Sequence, residues 1–218
     1  EQKTTAIAIN KIEGLDKLKE IRSLFLHQNC IERIEGLEEL EYLDNLNLSE
    51  NFIKRIENLK HLQKLTTLSM HDNSLENCED IIELADCHSI TILDLSKNKI
   101  HDPEILPLVL SKMPNLRVLK LEGNPVIKKI PHYRKTMIAE CTALTYLDSM
   151  PVFDDERRLV TAWKSGGVEE ERREREKMRN EKKERERHNF EAFETLVQEA
   201  REKRNSSSPE LSLMDDVE

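Results

Sequence analysis

His27 and His71 are the side chains of this 218-residue chain whose type and spacing most nearly propose chemistry. They stand at equivalent positions of an internal repeat, two layers apart. Neighbouring strands lie about 5 Å from each other, so the rings are separated by roughly 10 Å before side-chain reach. No third ligand accompanies them, and two histidines alone do not make a zinc site. No Ser/His/Asp or Cys/His arrangement is indicated. Carboxylates are abundant, but none is singled out as a pair. Phosphate-cradling patterns of the GxxxxGK[ST] or GxGxxG kind are absent. The four cysteines form no Cys-x-x-Cys pair and no disulfide framework, which points to a reducing compartment. Cys30 and Cys141 are expected to fill small buried positions, since a free thiol behaves as a small hydrophobe. The chemistry-bearing residues therefore predict no enzyme, no cofactor and no metal.

One dense basic cluster remains: Lys128, Lys129, His132, Arg134 and Lys135. It suits an acidic helix or tail from a partner, or a solvated surface. Formal net charge is -9, which argues against nucleic acid or an anionic membrane as the partner. No apolar run approaches the roughly 20 residues that span a bilayer, and no signal peptide is visible. The opening at Glu1, inside a recognisable repeat, reads as a fragment or trimmed chain.

The elements that position these residues come from one recurring phrase. It reads Leu24-x-Leu26-x-x-Asn29, Leu46-x-Leu48-x-x-Asn51, Leu68-x-Met70-x-x-Asn73, Leu93-x-Leu95-x-x-Asn98 and Leu119-x-Leu121-x-x-Asn124. The asparagines are 22, 22, 25 and 26 residues apart. This is the leucine-rich-repeat signature. The same register runs upstream, with Ile9, Ile12, Leu15, Leu18 and Ile21 standing 22 residues before Ile31, Ile34, Leu37, Leu40 and Leu43; Ile7 replaces the asparagine of that degraded first repeat. The predicted fold class is α/β: a leucine-rich-repeat solenoid with short parallel strands on the concave face and 3₁₀ or α turns on the convex face. A C-terminal cap and a protruding charged helix complete it.

Within each unit a short strand turns two apolar residues inward. The following Asn29, Asn51, Asn73, Asn98 or Asn124 closes the turn and bonds neighbouring backbone groups with its amide. Residues 79–87 and 103–112 read as α-helical turns on the convex side, the second started by Pro103 and bent by Pro107. Residues between the inward leucines form columns on the concave face. One is Phe25, Asn47, Ser69, Asp94, Lys120. A second is His27, Ser49, His71, Ser96, Glu122. A third is Ser23, Asn45, Thr67, Ile92, Val118. Phe25 is the aromatic outlier and Ile92 with Val118 an apolar pair. The protein-binding candidates on this face are Phe25, His27, Asn47, Ser69, His71, Ile92, Asp94, Val118 and Lys120.

Four segments follow: repeats over 1–124, a cap with a packed helix over 125–167, a charged extended helix over 168–204, and a disordered acidic tail over 205–218. Phe153 before Asp154 and Asp155 resembles a hydrophobic staple with its N-cap. Trp163 is expected in the cap's core, and Gly166-Gly167 ends that helix. Beyond it, Glu alternates with Lys and Arg in pairs that support an exposed helix. Phe190, Phe193 and Val197 then form an apolar stripe at helical spacing, a further protein-binding candidate. The stripe is too short to establish a coiled coil.

The 22-residue spacing with Ile-Glu-Gly/Asn-Leu resembles the protein-phosphatase-regulator class of leucine-rich repeats. Residues 90–148 carry Leu93-Asp94-Leu95-Ser96-Lys97-Asn98, Met113-Pro114-Asn115-Leu116 and Gly123-Asn124-Pro125-Val126-Ile127. They continue through Ile130-Pro131-His132-Tyr133-Arg134-Lys135 and Leu144-Thr145-Tyr146-Leu147-Asp148, then Pro151-Val152-Phe153 and Ala162-Trp163-Lys164-Ser165-Gly166-Gly167. This resembles the leucine-rich-repeat axonemal dynein assembly factor family. The resemblance implies a non-enzymatic scaffold for cytoplasmic preassembly of dynein arms, associated with a cilium or flagellum. Implied partners are dynein chains, chaperones or other assembly factors. A resident axonemal component bound to dynein or microtubules is the alternative, and a phosphatase regulatory subunit a further one.

Overall fold

The computed structural model describes residues 8–206. Ile7 and most of the acidic tail lie outside them. Seven short strands follow chain order in one sheet: β1 (Ser23–Phe25), β2 (Asn45–Asn47), β3 (Thr67–Ser69), β4 (Ile92–Asp94), β5 (Val118–Lys120), β6 (Tyr146–Leu147) and β7 (Met150–Pro151). Pairing is parallel from β1 to β6 and antiparallel between β6 and β7. Register follows the phrase without a slip, so Leu24, Leu46, Leu68, Leu93, Leu119 and Leu147 are mutual partners. From Leu46 onward these leucines are buried beneath the sheet.

Each repeat contributes one apolar layer, such as Ile31, Ile34, Leu37, Leu40 and Leu43, all at most 1% exposed. Burying one such side chain is worth about 1.5–3 kcal/mol, so a core without aromatics suffices. The first described layer is incomplete. Ile12 is buried, but Ile9 and Leu18 are 43% and 47% exposed, because among the described residues no layer stacks on their outer side.

The asparagines hold the turns as predicted. Asn51 Nδ2 donates to the carbonyls of Leu48 and Ser49 in its own turn and to Leu26 in the preceding one, while its Oδ1 accepts the Ile31 amide. Asn73 and Asn98 repeat this pattern, and Asn124 bonds Leu95 and Leu121 and accepts from Ile100. Every rung thus ties a repeat to the one before it. On the return legs, Gly36 adopts φ +69, and a Cβ there would stand 2.5 Å from the Ile12 carbonyl oxygen. One repeat on, Asn58 occupies the same left-handed region and donates its side-chain amide to the Ile34 carbonyl instead.

The convex wall departs from the expected α-helical turns. Residues 79–87 form two 3₁₀ turns, Cys78–Asp80 and Ile82–Asp86. Within 103–112 only α1 (Ile105–Leu108) is α-helical, followed by the 3₁₀ turn Leu110–Lys112. Pro103 precedes the helix rather than starting it. Pro107 does not divide α1, since it falls in the first turn, where the missing amide hydrogen would have no helical acceptor anyway. The break comes at Val109 (φ -125, ψ -70).

The cap comprises the 3₁₀ turn Pro125–Lys128, α2 (Tyr133–Glu140) and α3 (Asp154–Ser206). Asp148 finishes the sheet. In earlier repeats the amides leaving a strand donate to carbonyls of the next, as Leu95 does to Lys120 and Lys97 to Glu122. At β5 the amide corresponding to that of Leu95, Leu121, donates instead to the Asp148 carboxylate, joined there by the Glu122 amide, and the other carboxylate oxygen accepts the Tyr133 hydroxyl.

α3 is not one straight rod. Gly166 and Gly167 leave helical geometry, Gly167 at φ 69 and ψ -152, a combination essentially confined to glycine. The chain doubles back there. Arg158 bonds Glu174 at 3.0 Å and Glu181 at 2.9 Å, 16 and 23 residues further on; a straight helix would hold them about 24 and 35 Å away. Lys135 and Arg175 clasp Glu171, and Arg134 clasps Glu156. The charged segment therefore begins docked on the cap rather than extended. The chain's own acids occupy Arg134 and Lys135 in the basic cluster, while Lys128 and Lys129 stay exposed. Trp163 is half-buried and packs edge-on to exposed His132 with centroids 5.8 Å apart, so it lies at the margin of the cap rather than in its core. Phe153 is no staple: it is 65% exposed, and Val160 carries the buried contact instead.

Cys141 is buried as expected, but Cys30 is exposed, because the residue after the turn asparagine points outward. Burial pushes the Cys87 and Cys141 thiols up to about 12, helped by neighbouring Glu83 and Glu140 respectively. Since the thiolate is the reactive species, a thiol reagent at pH 7.5 should modify Cys30 rapidly and the other three only after denaturation. Two fast-reacting thiols in a stopped-flow absorbance trace would contradict this.

Candidate functional site

The concave face is built by the residues flanking each inward leucine. Its hollow is lined by His27, Asn47, Ser49, Ser69, His71, Asp94, Ser96, Lys120 and Glu122 from the predicted columns, joined by Glu50 and Lys97. The three columns stand in the expected register. Phe25 lies at the end of its row, 59% exposed and outside the hollow. Asn47 is turned onto its own strand, where its Oδ1 accepts the Ser49 amide. Ser49 and Ser69 share a hydroxyl bond of 2.7 Å.

The structure brings together a Ser, a His and an Asp, which the sequence did not indicate. His71 Nδ1 lies 2.9 Å from the Ser96 hydroxyl, and that hydroxyl donates to Asp94 Oδ1. Lys120 Nζ is 3.2 Å from Asp94 Oδ2. The order differs from that of a hydrolytic triad. There a histidine stands between the acid and the hydroxyl and removes the proton. Here the hydroxyl stands in the middle, gives its proton to the carboxylate, and is 5% exposed. Burial pushes the Asp94 carboxyl up, but the Ser96 hydroxyl and amide and the Lys120 ammonium outweigh it and hold the group below the usual carboxylate range. The string His71–Ser96–Asp94–Lys120 is thus a fixed polar relief across β3 to β5.

His27 and His71 acquire no third ligand. Among the described residues no cluster of three or more His, Cys, Asp or Glu is arranged to hold a metal ion, and no helix is long and apolar enough to cross a membrane.

Ile92, 40% exposed, and Val118 face outward side by side. Their row continues further than the sequence columns did. Val118 pairs with Tyr146, and Tyr146 with Pro151. The signal was present: Tyr146-Leu147 repeats the Val118-Leu119 pattern. Phe190 and Phe193 lie far along α3, 60% and 63% exposed, and Val197 is half-buried beside them. They belong to a second surface, separate from the concave hollow.

The family model described as leucine-rich repeat matches residues 38–171. Dynein axonemal assembly factor 1 of Homo sapiens is 45% identical over 121 residues, covering 56% of this chain and 17% of that protein. The leucine-rich repeat-containing protein ODA7 of Chlamydomonas reinhardtii is 45% identical over 108 residues, covering 50% and 25%. The dynein axonemal assembly factor 1 homolog of Anopheles gambiae is 54% identical over 99 residues, covering 45% and 11%. The matched part of the chain thus spans a quarter or less of each of these relatives. Among solved structures, a chain of the Drosophila melanogaster SNF/U2A′ complex superposes with TM-score 0.58 at 25% identity, covering 70% of this chain and 86% of that one. Internalin C2 of Listeria monocytogenes superposes with TM-score 0.52 at 28% identity, covering 64% and 56%.

Proposed function

We propose, from the premise that this chain belongs to the leucine-rich-repeat family, that it is a non-enzymatic protein-binding scaffold for assembling axonemal dynein. The observation that carries this reading is its 45–54% identity to proteins named for axonemal dynein assembly. The geometry agrees with it. Ser96 is held by Asp94, its hydroxyl proton directed away from any substrate, so the hollow presents shape and polarity rather than a nucleophile. Repeat solenoids use such a concave surface to seat folded partners. The finer reading is cytoplasmic preassembly of dynein arms before delivery to the cilium, with dynein chains, chaperones or other assembly factors seated on Asp94, Lys120 and Phe25.

Affinity purification from ciliating cells tests it, with wild type beside a variant combining Phe25→Ser, Asp94→Arg and Lys120→Glu. Dynein chains or chaperones should accompany the wild type from the soluble fraction, with a roughly tenfold loss in the variant, about 1.4 kcal/mol. Recovery only in axonemes resistant to detergent and salt would replace this reading with that of a resident component. Recovery of a phosphatase catalytic subunit without dynein or chaperones would replace it with a regulatory subunit.

A further inference from the structure

Two unpartnered apolar features of this chain match in length and in charge, and we propose that they meet between two copies of it. The first is the row Ile92–Val118–Tyr146–Pro151, which crosses β4 to β7 in register on the outward side of the sheet. Its N-terminal counterparts Ser23, Asn45 and Thr67 are polar, so the apolar strip belongs to one half of the solenoid only. Four rungs at about 4.8 Å give a strip roughly 14 Å long.

The second feature is the distal face of α3. Phe190, Phe193, Val197 and Ala200 recur at intervals of three and four residues, with Leu196 beside them. Ten residues of helix rise about 15 Å, so this stripe spans the strip when the helix lies across the strands. Phe190, Phe193 and Leu196 are 60%, 63% and 64% exposed. Helix-in-groove docking uses anchors at this spacing.

Charge agrees with the fit. Arg117 immediately precedes Val118, is exposed, and has no ion partner among the described residues. Glu194 lies between Phe190 and Val197 on the stripe's flank and likewise has none. On the strip's other side the cation Lys120 is already committed to Asp94.

The two features do not meet within one copy: α3 packs on α2, and Phe190, Phe193 and Leu196 stay exposed. Arg158 sits between Glu174 and Glu181, so the returning arm passes the start of α3 near residue 182. Phe190 is then roughly 12 Å further along the helix. A second copy supplies the matching strip, and twofold symmetry makes the contact twice. Each contact covers roughly 600 Å² in total, so the pair reaches about 1,200 Å², the lower end of stable interfaces.

Sedimentation equilibrium of the purified 218-residue chain tests the pairing without any dynein component, so its failure leaves the assembly reading standing. Mass should rise from the 25.5 kDa monomer toward twice that value over about 1–200 µM. Changing Phe190, Phe193 and Val197 together to Ser, or Ile92 and Tyr146 together to Ser, should raise the dissociation constant at least about tenfold. Arg117→Glu should raise it roughly threefold, and Glu194→Arg added to it should restore the wild-type value. Unchanged melting curves will show that each variant is folded. A monomer at every concentration overturns the proposal. A dimer lost with the stripe variant but untouched by Ile92→Ser/Tyr146→Ser and by Arg117→Glu also overturns it, in favour of direct helix-to-helix pairing.

Discussion

Asn98→Ala is expected to destabilise the chain by about 3–5 kcal/mol, a large part of the total stability of an ordinary domain. Asn98 is 4% exposed. Its Nδ2 donates to the Met70, Leu95 and Ser96 carbonyls, and its Oδ1 accepts the Leu75 amide. Alanine would leave the buried Leu75 amide without an acceptor, about 1–3 kcal/mol, and would remove one of two donors from each of the Met70, Leu95 and Ser96 carbonyls, which keep Asn73, Asn124 and the Asp72 amide, at about 0.5–1.5 kcal/mol for each bond lost. The change would also create a small void. Asn29→Ala is the internal comparison. Asn29 is half-buried; its Nδ2 donates only within its own turn, and its Oδ1 accepts the amide of exposed Ile9, which water can satisfy instead, so its loss should cost only about 1 kcal/mol. Urea unfolding followed by circular dichroism measures both. Equal midpoints for the two variants would show that the rungs between repeats carry no stability.

The second large effect is expected at Asp148. Asp148→Ala removes the acceptor for the Leu121 and Glu122 amides and for the Tyr133 hydroxyl. It also places alanine at φ 53, a left-handed conformation that Asp tolerates better. A loss of about 2–4 kcal/mol follows. Asp148→Asn keeps an acceptor oxygen and should lose less than half as much. Hydrogen exchange gives the local readout. The Leu121 and Glu122 amides should exchange faster in Asp148→Ala while those of β2 and β3 keep their protection. Uniform acceleration would mean that the cap and the repeats unfold as one unit instead.

What the sequence disclosed follows from where the constraint was local. Leu46, Leu68, Leu93 and Asn51, Asn73, Asn98 recur because each rung meets the same backbone geometry, so strands, register and the asparagine bonds were readable. The column Phe25, Asn47, Ser69, Asp94, Lys120 was readable for the same reason. The meeting of His71 with Ser96 and Asp94 was not, since two residues of adjacent columns had to turn toward a third in a neighbouring repeat. Helix type on the convex wall was also hidden. Apolar spacing of three and four fits both an α turn and a pair of 3₁₀ turns when the segment is only a few residues long. Gly166-Gly167 signalled a break, but its direction depends on Arg158 finding Glu174 and Glu181, contacts that no local pattern encodes. Cys30 and Phe153 were misjudged because residue type was weighed over position, and both positions face outward.

The unequal repeat lengths have a geometric consequence. Units of 22, 25 and 26 residues share one strand register, so the surplus lies wholly in the outer wall, as the 3₁₀ turns and α1. Helical turns packed side by side need about 8–10 Å of lateral room, whereas the strands remain about 4.8 Å apart. The longer units are therefore wedges, and the arc tightens where they stand, between β3 and β5. Curvature in this molecule is written in the lengths of its loops, and a deletion of three residues from 78–87 would flatten the arc while leaving every strand paired.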